Sequence, residues 1–226
     1  MYTIYIIRHG ETDNNKKRVL QGRSDLPLNE AGAKQADKVK DYFAEKGIQF
    51  DKVYSSPLIR AIKTAQIVTG NTPDGSDDTG SSGAADSSAD TAPFVLDDHL
   101  LEMDYGPYEG CSLLDPPQEI IEFFSDFVNN PAPEGMENLS DLVARMGKFM
   151  DTLKSEFAAQ LKEPESTDAD CTVLISTHAI AMKGILEYLT PESHGAYWNK
   201  HIANCAVFKT IFKNGEYTVP VELRNE

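Results

Sequence analysis

Short runs of β-branched and aromatic residues alternate along this chain with stretches of helical periodicity, and each such run stops at a polar residue. Residues 2–7 form the first run and end at Arg8-His9-Gly10, which reads as a buried strand feeding a loop. From about Asn29 to Lys46, Ala33, Ala36, Val39, Tyr42 and Phe43 make an apolar stripe, with Asn29 placed to cap that helix and Gly47 to stop it. Residues 53–55 are a second strand, after which Pro57 opens a helix through Ile59, Ile62, Ala65, Ile67 and Val68. Residues 171–176 are a third continuous apolar run, and 179–189 behind them are apolar at helical spacing. This repetition predicts an α/β fold, a three-layer α/β/α sandwich with a mostly parallel sheet and helices on both faces.

The remaining elements fill in that plan. Leu139, Leu142, Val143, Met146, Phe149, Met150, Leu153 and Phe157 mark a long amphipathic helix between Met136 and Leu161, with Asn138 at its start. Residues 205–212 read as a strand, and Asn214-Gly215 turns it towards 217–219, so the sheet is expected to end in an antiparallel pair. A chain of 226 residues supports one well-buried domain, taken as 1–226. Within it, residues 71–92 carry Gly, Ser, Asp, Ala and Thr without periodicity, and read as a flexible acidic surface insertion rather than a lid.

Charge narrows the partners. With 36 acidic against 21 basic residues and a formal net charge of -15, the surface should repel nucleic acid and anionic lipid. An anionic small-molecule substrate therefore needs arginines gathered locally. Cys111, Cys171 and Cys205 are widely spaced, as in a reducing compartment. The first residues are too short and too lightly charged for a secretory signal, and no apolar run approaches membrane-spanning length. Cytoplasmic residence without membrane contact is the expectation. A homodimer is the one macromolecular assembly left open.

The candidate chemistry lies where the strands end, because ligands of open parallel sheets bind beyond the strands' carboxyl ends. The first strand ends at Arg8-His9, the second is followed within a helical turn by Arg60, and the third ends at Thr177-His178. Two guanidinium groups match phosphate oxygens and neutralise a transferring phosphoryl group. Their charge also biases a neighbouring imidazole towards its neutral, nucleophilic form. A lone histidine at a strand end is usually only a polar residue, and a lone arginine a surface ion-pair partner; the convergence of four such residues is the signal.

Arg8-His9-Gly10-Glu11-Thr12, followed by Asn15, Gln21-Gly22, Ser55-Ser56-Pro57, Arg60, Leu101-Glu102, Tyr105-Gly106, Glu109-Gly110 and His178, resembles the histidine phosphatase superfamily, the phosphoglycerate mutase-like group. The resemblance implies that fold and a phosphohistidine formed on His9. It implies a phosphate held by Arg8, Asn15, Arg60 and His178, with Gln21, Gly22 and Ala179 lining the site. Glu102 is similar to the family's general acid, donating a proton to the leaving group and then activating water. No metal or cofactor is implied.

Two departures bear on the reaction. The family's glycine after the second histidine is Ala179 here, and the arginine that follows the acid in mutases is Met103. The acidic segment 111–134 supplies no Lys or Arg in its place. Hydrolysis of a small phosphate monoester is therefore expected rather than phosphoglycerate mutase chemistry. Two further rivals to hydrolysis are a metalloenzyme ligated by His9, His178 and Glu102 and a non-catalytic binding module of the same fold. Arg23, Tyr108 and the segment after Gly110 are expected to set specificity at the mouth.

Overall fold

A computed structural model of the chain describes residues 1–73, 92–160 and 170–223. The acidic segment singled out at 71–92 lies, for residues 74–91, outside the described residues. Strands β1 (Tyr2–Arg8), β2 (Lys52–Ser55), β3 (Phe94–Leu96), β4 (Cys171–Thr177), β5 (Val207–Lys213), β6 (Glu216–Tyr217) and β7 (Val221–Leu223) form one sheet in the order β3-β2-β4-β1-β5-β6, with β7 also on β5. β3, β2, β4 and β1 are parallel, whereas β5 joins β1 antiparallel and carries β6 and β7 antiparallel. The sheet is thus mixed, and its antiparallel part is larger than the terminal hairpin expected from Asn214-Gly215.

Alternation along β1 explains the layers. Ile4 and Ile6 point into a core shared with helices α5 (Leu139–Gln160) and α6 (Ala179–Leu189), while Tyr5 and Ile7 point into a second core against α2 (Glu30–Glu45) and α3 (Ile59–Thr69). Val173 and Ile175 of β4 join the first core and Leu174 the second. Successive side chains of a strand face opposite ways, so an unbroken apolar run must be covered on both sides. Among the described residues no helix is long and apolar enough to cross a membrane.

Caps and glycines fix where elements meet. Asn29 caps α2, its Oδ1 accepting from Gly32 N at 2.8 Å. The helix proposed from Pro57 begins two residues later, with Leu58 in the cap position and no side-chain cap. The residue ahead of a proline is held extended, so Ser56-Pro57 forms a bend before the helix starts. Asn138 is not a conventional cap: its Nδ2 donates to Asp141 at 3.4 Å, while its carbonyl accepts the first helical N–H, from Leu142. A Cβ on Gly10 would collide with the Gly32 backbone, and one on Gly32 with the Glu11 backbone. These paired glycines let α2 close directly onto the loop after β1.

Several elements were not anticipated, among them the short helix α1 (Asp13–Lys17). β3 is only three residues long, too short for periodicity to register. Helix α4 (Gln118–Ser125) lies inside the acidic segment, where Ile120, Phe123, Phe124 and Phe127 follow helical spacing; Ile120, Phe123 and Phe127 are buried and Phe124 is half-buried.

Candidate active site

The sheet aligns three polar strand ends. Arg8 is opposite Thr177 and Ser55 opposite Ser176, and two backbone bonds continue past the ends: His9 N to Thr177 O at 2.9 Å and Ser56 N to Ser176 O at 3.0 Å. His9, Ser56 and His178 are thereby set side by side at one edge. Thr64 secures α3 to the first loop, its hydroxyl accepting from Gly10 N at 3.0 Å and donating to Arg60 O at 2.7 Å.

At this edge lies a cavity of about 200 Å³ lined by Arg8, His9, Asn15, Gln21, Gly22, Arg60, Glu102 and Ala179 among other residues. Eight of the nine predicted site residues therefore share one wall. The ninth, His178, is fully buried behind it, with its ring centroid 5.1 Å from that of His9. The volume suits a phosphoryl group with a small leaving group, below the roughly 300–1,000 Å³ of pockets for larger ligands.

Hydrogen bonds define the state of His9. Its Nδ1 lies 2.7 Å from Gly10 O, and Arg60 Nε donates to its Nε2 at 3.3 Å. A carbonyl can only accept and a guanidinium can only donate, so Nδ1 carries the proton and Nε2 the lone pair. Burial, then Arg8 and Arg60, hold the imidazole well below its ordinary pKa of 6.5. His178 is lowered likewise by burial, then Arg60, His9 and Arg8. The charge of the arginines acts as expected from sequence, but the larger cause is desolvation.

Both rings are thus neutral when folded but titrate near pH 6.5 in the unfolded chain. The unfolded state then binds more protons in acid, and stability must fall as pH drops through 6.5. The two rings together are expected to remove about 2–3 kcal/mol between pH 7 and 5.5. Urea midpoints measured across that interval test this; a flat profile contradicts neutral burial.

Arg60 is fixed from the other side by Ser24 O at 2.7 Å and Gly22 O at 2.6 Å. Gly22 adopts φ +54°, and Glu109 gathers the following turn by accepting from Arg23 N, Ser24 N and Ser24 Oγ. Arg8 Nη1 donates to Ile202 O at 2.5 Å, and Asn204 Nδ2 reaches both His9 O and Asn15 Oδ1. Among the described residues, two buried side-chain polar atoms lack any partner: Arg8 Nε and His178 Nδ1. Buried polar atoms are nearly always satisfied, so both are exceptions; Arg8 lines the cavity, and His178 is buried beside His9.

Glu102 stands in for the missing cap of α6. His178 occupies the cap position without a side-chain cap bond, whereas Glu102 Oε1 accepts from Met103 N and Ala181 N, both at 2.9 Å, and Oε2 from Ile180 N at 3.2 Å. The loop carrying Glu102 is clamped by Arg145 of α5. Arg145 donates to the carbonyls of His99, Leu101 and Glu102 and pairs through two nitrogens with Glu137. Arg145 and Asn204 gave no sequence signal, since an arginine on an amphipathic helix reads as a surface residue.

Two expected specificity residues are elsewhere. Arg23 is drawn to Asp104 at 3.2 Å and Glu137 at 4.0 Å, and Tyr108 packs against the apolar core; neither is on the cavity wall. The segment after Gly110 does contribute, through Leu113 and Phe124. Among the described residues, no group of three or more His, Cys, Asp or Glu side chains is gathered to hold a metal ion.

Comparison with known proteins shows the family. A model of the histidine phosphatase superfamily (branch 1) matches residues 4–77 and 82–223. A broad-specificity phosphatase of Saccharomyces cerevisiae is 27% identical over 194 residues, covering 86% of this chain and 73% of that protein. The fructose-2,6-bisphosphatase TIGAR B of Danio rerio is 30% identical over 207 residues, covering 87% and 71%. The structure of Bacillus stearothermophilus YhfR superimposes with a TM-score of 0.73 at 23% identity, over 97% of this chain and 95% of that one.

Proposed function

Since the chain belongs to the histidine phosphatase superfamily, branch 1, we propose that it hydrolyses small phosphate monoesters, without a metal, through a phosphohistidine on His9. The observation that carries this reading is the neutral His9, with its Nε2 lone pair at the wall of a cavity that also holds Arg8, Arg60 and Glu102. The Nε2 lone pair attacks phosphorus as the bond to the ester oxygen breaks, and Glu102 gives its proton to that oxygen. The phosphoryl group replaces Arg60 at Nε2, and its oxygens take up donors of Arg8 and Arg60.

In the second step water attacks phosphorus, Glu102 takes the water's proton, and the P–N electron pair returns to Nε2. Oε2 of Glu102 accepts a single backbone N–H and keeps a lone pair to carry the proton in both directions. Hydrolysis is favoured over isomerisation because Met103, in the place of the mutases' second-phosphate arginine, is fully buried in the core.

The test is an alkaline quench of turnover with an aryl [³²P]phosphate in the presence of chelator, followed by digestion. Label on the peptide containing His9, with free phosphate as product, is the expected result. Product formed at full rate without such label removes the mechanism.

A further inference from the structure

Part of the wall of the cavity is apolar. Val19, Leu20, Tyr105, Leu113, Phe124 and Ile180 line it. Phe124 is half-buried and held in an aromatic row: its ring lies 6.2 Å from Tyr105 and 5.0 Å from Phe127, and Phe127 stacks 6.1 Å from Trp198. Leu113 remains 40% exposed at this wall, and the isolated bridge between Val19 and Ser112 fixes its backbone beside the first loop. A side chain so exposed yet so placed is available to a ligand entering from solvent.

Charge is missing from the same wall. Among the described residues, the cations lining the cavity are Arg8 and Arg60; Arg60 Nε donates to His9 Nε2, and Arg8 Nε is buried without a partner. Of the cations near the lining, Arg23 pairs with Asp104 and Glu137, Arg145 with Glu137 and three carbonyls, and Lys183 with Trp198 O at 2.7 Å, while Arg18, whose carbonyl accepts from Leu113 N, is exposed and does not line the cavity. The chain as a whole carries a net charge of -15. A carboxylate or second phosphate on the leaving group would lose water here without meeting a counter-charge, which is costly.

We infer that the site selects esters whose leaving group is an uncharged, predominantly apolar or aryl alcohol, and disfavours those carrying a further anionic group. The inference rests on the phosphatase reading above and adds its substrate class. Burial of an aryl ring against Leu113, Phe124 and Ile180 contributes binding that an anionic substituent would cancel.

The experiment compares phenyl phosphate with its meta-carboxylate analogue, whose phenol has nearly the same basicity, so the chemical step is matched. Wild type is expected to favour the neutral ester by about tenfold in kcat/KM, mainly through KM. Leu113→Arg, at an exposed position, should narrow that ratio severalfold by supplying the absent cation. A wild-type ratio below about threefold, with phosphate released from both esters, overturns the inference and leaves the hydrolase reading standing. A preference that Leu113→Arg leaves unchanged also overturns it, because the wall is then not its cause. Release from neither ester, with no label on His9, removes the underlying reading instead.

Discussion

His9→Ala is expected to lower turnover of every phosphate ester by about 10⁴-fold or more while leaving phosphate binding within severalfold of wild type. The separation follows from the geometry. Arg8 is held by Ile202, and Arg60 keeps its bonds to Gly22 and Ser24 when its contact with the ring is lost, so the anion site outlasts the ring. Only the Nε2 lone pair is lost, and with it the two-step route. The cavity adjoins the vacated position, so added imidazole should restore part of the rate with phosphoimidazole as the intermediate. The acid dependence of stability should fall to that of one buried ring, about half the wild-type loss below pH 6.5. Phosphate titration and burst kinetics separate these outcomes. A variant with more than a tenth of wild-type turnover would show that His9 is not the nucleophile.

The parts of the fold that sequence made legible are those buried on two sides. β1 and β4 are continuous apolar runs because both cores claim their side chains, and the residue that ends each run is displayed at the sheet edge by the register of the pair. Arg8, His9 and His178 were therefore readable from strand ends alone. Glu102 was not: it follows a short 3-10 turn, Asp98–Leu100, in a loop whose position depends on Arg145 from a helix more than forty residues further on. Only the motif resemblance brought it forward. Arg23 and Tyr108 are absent from the cavity lining for a related reason. Both lie near the site in sequence, yet ion pairing with Asp104 draws one aside and apolar packing draws in the other. A side chain's direction is set by partners that sequence distance does not reveal.

The apolar wall was hidden by composition. Residues 111–134 read as an acidic segment lacking bases, and the charges it carries on α4, Glu119 and Glu122, are exposed. The same helix turns Ile120 and Phe123 into the core and aims Phe124 at the cavity. Period-3.6 spacing beneath the acidic surface was the available signal. One segment thus supplies both exposed carboxylates and apolar side chains at the cavity.

Glu102→Gln should divide the two half-reactions by leaving group. An amide has no proton to give, so phosphorylation by an alkyl ester is expected to slow by about 10²–10⁴-fold. A phenolate departs with little protonation, so an aryl ester should still phosphorylate His9 at near wild-type rate. The second step needs a base for water whichever ester was used, and the amide is none. An aryl substrate should then give a burst of one equivalent of phenol followed by a slow steady rate, with phosphohistidine accumulating. The fold should tolerate the change at modest cost. The amide oxygen can keep the place of Oε1, where it accepts from Met103 N and Ala181 N, but the amide nitrogen then faces Ile180 N, donor against donor. That leaves one N–H of the α6 terminus unsatisfied, worth about 1–2 kcal/mol by urea unfolding. Equal slowing of alkyl and aryl esters without a burst, in a protein of that stability, would mean that Glu102 positions α6 and some other group moves the proton.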